Sequence, residues 1–520
     1  VNVLAAGIPT PSIAYAALSP ILVILLAALI GVLIEAFVPR AARFPSQVGL
    51  AVVSIFGALI AVFAERKTAA VVIGRAIAID GPALISMAVL LVFGLLSVML
   101  FADRSLDYVG NTKVSHFVAE GAVPAGSRAD RALLTSERVQ TEVFPLAMFS
   151  LSGMMIFVAS NNLLVMFVAL EVFSLPLYLI AGLNRRRRLL SQEAAVKYFL
   201  LGSFGSGFFI YGIALIYGFA GSLDLRAISE ATTSDLGHDG LLAIGIGLML
   251  VGLFFKAGVA PFHQWTPDVY QGSPTPVAGF MSAATKLAAF VGLLRVLYVG
   301  LTFVGASFWQ PALAIFAVIS MAVGAVFGLA QTDLKRMLAY SSVAHAGFIL
   351  VAVLANTQHG VSATMFYITT YGLSSIAAFA CVSLVRRPDG EMSRLEDWRG
   401  MGRRKPVLAG IMTVLMLSMT GIPLTAGFIG KFQAFSAAID AGYGWLVVVA
   451  LLMSAVTAAF YLRLVVLMYF HEPAEDAALV VEPGTATDVV IWICTALTVL
   501  FGVLPGPLLD LVAKATLFIG

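Results

Sequence analysis

GLMLVGLFFKAGVAPFHQWTPDVYQGSPTPV, residues 247–277, is an apolar run that meets a lone lysine and then breaks. Gly258 loosens the turn after Lys256, and Pro261 removes a backbone donor, so a helix long enough to cross a membrane is interrupted near its lysine. Irregular backbone at membrane depth is tolerated where it lines a cavity, and its freed carbonyls and helix ends hold ions or water. A charge at that depth costs at least ~2.5 kcal/mol on lenient insertion scales. Lys256 therefore needs a partner, a wet cavity or a function. The competing reading is a lysine that snorkels to the interface, helped by the nearby break.

Other charges share this setting. Glu171 lies in NNLLVMFVALEVFSLPLYLIAG (161–182), Lys197 in EAAVKYFLLGS (193–203), Lys286 in SAATKLAAFVGLL (282–294) and Lys431 in MTGIPLTAGFIGKF (419–432). Glu171 is a proton acceptor whose charge answers to a neighbouring lysine, or else a neutral acid that joins two helices. Lys286 follows Ser282 and Thr285, which suits a water chain, though its stem also permits snorkelling. Lys197 has Glu193 four residues before it, an ordinary helical ion pair. Lys431 repeats the pattern of Lys256, with Gly421, Pro423, Gly427 and Gly430 marking a second broken helix. His345, in YSSVAHAGFI (340–349), is either a relay, since histidine titrates near neutrality, or a hydrogen-bonded core residue. His263 and Asp268 are expected to fix the loop after Lys256, Asp80 in AIDGPALI (78–85) to cap a helix, and Glu35 to reach the interface.

Composition places these charges in a membrane. The 520 residues are 60% hydrophobic and 11% charged, against roughly 25% charged in soluble domains. Apolar runs of about 20 residues predict spanning helices and exclude a β-barrel, whose spans are about ten alternating residues. An all-α polytopic chain of about fourteen spans follows: 15–38, 47–64, 83–101, 143–159, 162–182, 195–219, 241–260, 276–299, 312–331, 336–355, 361–385, 407–427, 443–470 and 489–507. Nothing basic precedes Arg40, so the first run is read as a retained helix rather than a signal peptide. Residues 102–141 form a polar insertion, a long surface loop with room for a short helix.

The predicted domains are 1–142 (three spans plus the insertion), 143–299, 312–470 and 471–520. The two central units hold five spans each, an odd number, so one copy inserts upside down relative to the other. That is an inverted repeat, with broken helices seven and twelve in corresponding positions.

Basic loops follow odd-numbered spans: Arg40 and Arg43; Arg185, Arg186, Arg187 and Arg188; Lys335 and Arg336; and Arg386, Arg387, Arg394, Arg399, Arg403, Arg404 and Lys405. The positive-inside rule puts these in the cytoplasm and both termini outside. Arg66, Lys67 and Arg75 disagree. The acidic loop with Asp224, Glu230, Asp235 and Asp239 suits the outer face. The four-arginine run is read as a topology and lipid-headgroup signal. A net charge of +3 is too small to imply nucleic-acid binding. Cys381 and Cys494 sit in apolar runs without metal-ligand spacing and are packing residues. No paired carboxylates, nucleophilic triad, phosphate loop or cysteine cluster appears, so no site for NADH, flavin, iron–sulfur clusters or haem is expected.

FFKAGVAPFHQWTPDVYQGSPTPV (254–277), KYFLLGSFGSG (197–207), DLKRMLAYSSVAHAGF (333–348) and SMTGIPLTAGFIGKF (418–432) resemble the antiporter-like subunits of proton-translocating NADH–quinone oxidoreductase (respiratory complex I). The likeness is to the subunit N branch, called subunit 2 in mitochondria. The sister subunits L and M differ: they carry a WLPDAM-type loop, M has Glu where Lys431 stands, and L has a long C-terminal lateral helix. The resemblance implies that Glu171 pairs with Lys256 and that Lys197 is the sixth-helix lysine. It also implies that Lys286 passes protons towards the centre and that Lys431 lies near the exit. It further implies a non-redox subunit of a translocase in a bacterial inner membrane, beside M-type and K-type neighbours and membrane lipids. NADH, FMN, iron–sulfur clusters and quinone would be held by other subunits, and no nucleic acid is involved. The insertion and the four-arginine run are departures from the pattern, and the insertion could serve a lineage-specific partner. Two competing readings are a gradient-driven cation/proton antiporter subunit and a structural spacer with a blocked channel.

Overall fold

A computed structural model describes residues 13–105, 115–118, 120–134, 139–233, 239–387, 390–473 and 478–520. The N-terminal stretch, the rest of the insertion and Asp235 lie outside the described residues.

Among the described residues twelve helices are long and apolar enough to cross a membrane, and Val143–Ala159 and Pro406–Thr420 are shorter apolar helices. Each of the fourteen expected runs coincides with one of them. Local chemistry sets the helix starts. Asp80, Asn162, Asp333 and Thr357 each accept a backbone N–H in the first turn of the third, fifth, tenth and eleventh spans, satisfying donors that a helix leaves unpaired. The sixth span, Arg188–Ala220, is the longest and stops at Gly221, whose φ of +65° is a left-handed cap.

Burial sorts the spans into layers. The eighth (Thr275–Gly300) and eleventh (Gln358–Ser383) are wholly buried and the tenth (Leu334–Leu354) nearly so, whereas the second, sixth and thirteenth are about one-third buried. The central spans carry Lys286, His345 and a series of hydroxyl side chains, and the outer spans present apolar faces. Neighbours recur between the halves. The fourth span packs on the fifth and the eighth, and the ninth correspondingly packs on the tenth and the thirteenth; the sixth–seventh contact matches the eleventh–twelfth. The two halves thus repeat one pattern of neighbours.

Both central breaks are present. The seventh span ends at Ala257 and resumes as Trp265–Gly272, and the twelfth is divided into Pro406–Thr420 and Ala426–Asp440. On one face a hairpin pairs Ala70–Val72 with Ile77–Ile79. There Arg75 meets Asp224 at 3.1 Å, so one of the three basic residues that opposed the orientation reading is paired with the acidic loop. Near the opposite face Glu35 accepts from Gln47 at 2.7 Å and meets Arg43 at 3.5 Å.

The insertion and the arginine run form one device. The insertion contains the short helix Arg128–Leu134, as expected. Arg188 donates to Asp130 at 2.7 Å and to the Gly121 and Val123 carbonyls, and Arg185 donates to the Leu133 carbonyl at 3.0 Å. Arg187 holds Ser393 and the Glu391 carbonyl. Arg185 and Arg188 are buried, which corrects the headgroup reading for those two: a guanidinium has five donors, and here they bind protein carbonyls rather than lipid.

Beneath this cap Glu391 receives Nδ1 of His116 at 3.1 Å, Arg386 at 3.2 Å and the Thr275 hydroxyl, with Lys335 at 3.8 Å. Lys335, read from the sequence as a loop charge, is fully buried and donates to the Ser273 carbonyl at 2.8 Å. Burial by itself would raise the Glu391 carboxyl. The hydrogen bond from His116 and the charges of Lys335 and Arg386 outweigh it and hold the group well below the usual carboxylate range. Burial lowers His116, so the neutral ring donates to Glu391.

Both groups bind a proton more readily in the unfolded chain. Their contribution is whole above about pH 6.5, falls first with the histidine, and falls again below about pH 4.3 with the carboxylate. Acidification from pH 7 to 4 is expected to speed amide exchange at 115–118 and 390–391 beyond its intrinsic pH trend. Exchange that follows the intrinsic trend alone would contradict this.

Candidate functional site

Lys256 closes the first half of the seventh span. Gly258 (φ +72°) lets Val259 N–H reach the Phe254 carbonyl at 2.9 Å, while Trp265 Nε1 takes the Phe255 carbonyl at 2.8 Å. The lysine is buried. Its ammonium donates to Ser174 Oγ at 2.6 Å and to the Tyr198 hydroxyl at 3.3 Å, and lies 4.6 Å from the Phe173 ring. Ring faces attract cations by about 0.5–2 kcal/mol. Glu171 is one turn from Ser174 and accepts from Ser206. Among the described residues no ion pair within 4.0 Å joins Glu171 to Lys256. The Ser174 hydroxyl that takes Lys256 itself donates to the Leu170 carbonyl.

Lys286 directly follows a π-helical turn, Met281–Thr285, a local widening frequent at functional sites. Its ammonium donates to the Ser342 carbonyl at 2.7 Å and the Ala257 carbonyl at 3.2 Å. It thus holds the freed end of the broken seventh span, where the helix dipole favours a cation. Lys431 does the same in the other half, donating at 2.8 Å to the Thr420 carbonyl, where Pro406–Thr420 ends, and at 2.8 Å to Ser454. Gly421 (φ +90°) turns the chain there, and a Cβ on it would come within 3.0 Å of the Lys431 side chain. All three lysines are buried and bonded inward, which overturns the snorkelling alternative for Lys256 and Lys286. One difference separates the halves: Lys256 precedes its break, whereas Lys431 follows its own.

His345 places Nδ1 3.0 Å from the Tyr367 hydroxyl and Nε2 3.2 Å from that of Tyr461, with the Tyr371 ring centroid 4.6 Å away. Lys197 is not drawn into this interior. Its side chain is 42% exposed and pairs with Glu193 and Asp268, each at 2.7 Å, while its neighbour Tyr198 reaches Lys256. Asp268 also takes Arg336 at 2.6 Å, tying the sixth and tenth spans to the re-entrant helix, as the loop-fixing reading expects. The His263 ring lies against Tyr340 and its carbonyl accepts from Thr266.

Sequence reasoning passed over Ser174, Ser206, Ser454, Tyr198, Tyr367 and Tyr461. Their signal was a hydroxyl within an apolar run, too common to single out unaided. It also passed over Arg295, a fully buried charge in the eighth span that pairs with Asp80 at 2.8 and 2.9 Å. Among the described residues no group of three or more His, Cys, Asp or Glu could hold a metal ion.

The buried stations lie within a matched family profile. Residues 160–457 match the family described as NADH:quinone oxidoreductase/Mrp antiporter, TM. The chain is 53% identical over 507 residues to NADH-quinone oxidoreductase subunit N of Saccharopolyspora erythraea, covering 96% of this chain and 97% of that protein. It is 53% identical over 509 residues to the subunit N of a Parafrankia species, covering 98% and 96%. Among solved structures, a chain of respiratory complex I from Thermus thermophilus matches with TM-score 0.75 and 34% identity, over 95% of this chain and 99% of that one. A chain of the Mrp complex from a Dietzia species, at 19% identity and TM-score 0.80 over 97% of both, shares the fold. This multi-pass membrane protein belongs to the NADH-quinone oxidoreductase subunit N family.

Proposed function

We propose that this chain is a proton-translocating subunit in the membrane arm of an NADH–quinone oxidoreductase. The observation that carries the reading is the set of buried ammonium groups, Lys256, Lys286 and Lys431, each bonded to polar atoms inside the protein and two of them to carbonyls freed by broken spans. Glu171, one helical turn from the Ser174 hydroxyl that takes Lys256, tunes the lysine by its charge, and His345 links the halves. Lys197 is the peripheral member, joined to the interior by its neighbour Tyr198. Moving one proton against 100 mV takes about 2.3 kcal/mol, and a pKa change of under two units supplies that. Rearrangement around Ser174 that pairs and unpairs Glu171 with Lys256 is therefore energetically adequate.

The chain contributes no redox chemistry of its own. NADH, FMN, iron–sulfur clusters and quinone belong to other subunits, and M-type and K-type subunits are its membrane neighbours. It sits in a bacterial inner membrane with the arginine-rich face in the cytoplasm and both termini outside. A gradient-driven cation/proton antiporter is not favoured, because the 53% relatives carry the quinone-oxidoreductase name and the Mrp likeness speaks to fold alone. Mild extraction of native membranes, with NADH–quinone activity and mass spectrometry on the band holding this chain, tests the reading. Recovery in a large NADH-oxidising assembly is expected. Recovery without an NADH-binding arm would overturn it.

A further inference from the structure

His345 is held by hydroxyls at both ring nitrogens, and one of those hydroxyls leads onward. Tyr461, on the thirteenth span, is hydrogen-bonded both to His345 Nε2 and to Ser341 on the tenth. All three side chains are buried. Ser341 is one turn closer than His345 to the arginine-rich face, about 10 Å inside the start of its helix at Leu334.

A neutral imidazole has one donor and one acceptor, so this row has two arrangements. With the ring proton on Nδ1, Tyr367 accepts it, Tyr461 donates to Nε2 and Ser341 donates to Tyr461. With the proton on Nε2, every bond in the row reverses. Each hydroxyl can accept one proton while releasing another, which a mere helix-to-helix contact does not require.

We propose that Tyr461 is a proton-relay residue that connects His345, through Ser341, to the arginine-rich side of the second repeat. In the inward step a protonated water on that side gives its proton to Ser341 Oγ. The Ser341 proton passes to the Tyr461 oxygen, and the Tyr461 proton passes to Nε2 of a ring already protonated at Nδ1. Three bonds to hydrogen break and three form; water is released and the ring becomes an imidazolium. The row ends at Ser341, on the arginine-rich side of His345. The inference rests on the proton-transfer reading of the buried stations.

The test uses the whole complex in sealed proteoliposomes driven by NADH. Tyr461→Phe and Ser341→Ala are each expected to lower proton transport on the order of tenfold, equivalent to about 1.4 kcal/mol of barrier, and to raise the solvent deuterium isotope effect. Ser341→Thr, which keeps a hydroxyl, is expected to transport as the wild type does. A contact that only joins helices would leave the isotope effect unchanged. If Tyr461→Phe fails to assemble, the two Ser341 variants decide. Wild-type rates and isotope effects in Tyr461→Phe and Ser341→Ala, alongside a blocked Lys256→Ala, would overturn the relay and leave the reading standing. Wild-type transport in Lys256→Ala would overturn both.

Discussion

Lys286→Met is expected to abolish coupled NADH–quinone turnover while leaving NADH oxidation by an artificial acceptor at the wild-type rate. Methionine keeps the unbranched stem and fills much the same space, so the eighth span has no cavity to collapse into. What disappears is the ammonium that bridges the Ala257 and Ser342 carbonyls. Losing a donor from a buried carbonyl costs about 1–3 kcal/mol, a local loosening of the seventh-span break that a chain of this size tolerates. The functional loss is larger. A positioned proton-transfer group contributes typically 10²–10⁴-fold, and no second titratable side chain stands within bonding distance of Lys286 among the described residues. Assembly is checked by the size of the extracted complex. Turnover within a few-fold of wild type in an assembled Lys286→Met complex would show that the lysine only braces the break.

Asp80→Ala is expected to prevent assembly. Asp80 caps the third span at Ala83 N–H, pairs with Arg295 through both oxygens and accepts from Ile519 N–H. Arg295 is fully buried and also donates to the Val158 carbonyl at 2.9 Å. Removing one partner of a buried pair costs about 3–5 kcal/mol, because the other charge stays uncompensated, whereas replacing both by apolar groups is often near neutral. The double variant Asp80→Ala/Arg295→Met should therefore recover much of what Asp80→Ala loses. Yield of the assembled complex and its midpoint of thermal disassembly read this out. A double variant no better than the single one would place the cost in the lost cap and the Ile519 contact instead.

The fold was legible because a membrane span is written in composition. Residues 143–159 were delimited to the residue, and Asp80 was read as a cap. The second span begins at Arg40 and the sixth at Arg188, each seven residues before the apolar run that announced it. Charged side chains on an opening turn obey helix geometry without adding hydropathy. The stations were legible one at a time, since a lone charge in an apolar run signals itself. Their joints were not. The Ser174 hydroxyl on Lys256, the Ala257 carbonyl under Lys286 and the tyrosines around His345 all depend on contacts between spans distant in sequence. The arginine run and the insertion looked like two separate peculiarities because nothing local says that Arg188 meets Asp130. Arg295 is a different case. It is a lone charge in the same apolar run as Lys286, nine residues earlier, and carries the same signal.

NADH oxidation is proposed to drive protons through these buried lysines. The most direct measurement is protons released per NADH oxidised in sealed vesicles holding the intact complex, wild type against Lys256→Ala. The variant is expected to assemble, keep its NADH oxidation by artificial acceptors, and lose coupled turnover or release fewer protons per NADH. An assembled variant with unchanged turnover and an unchanged ratio would contradict it.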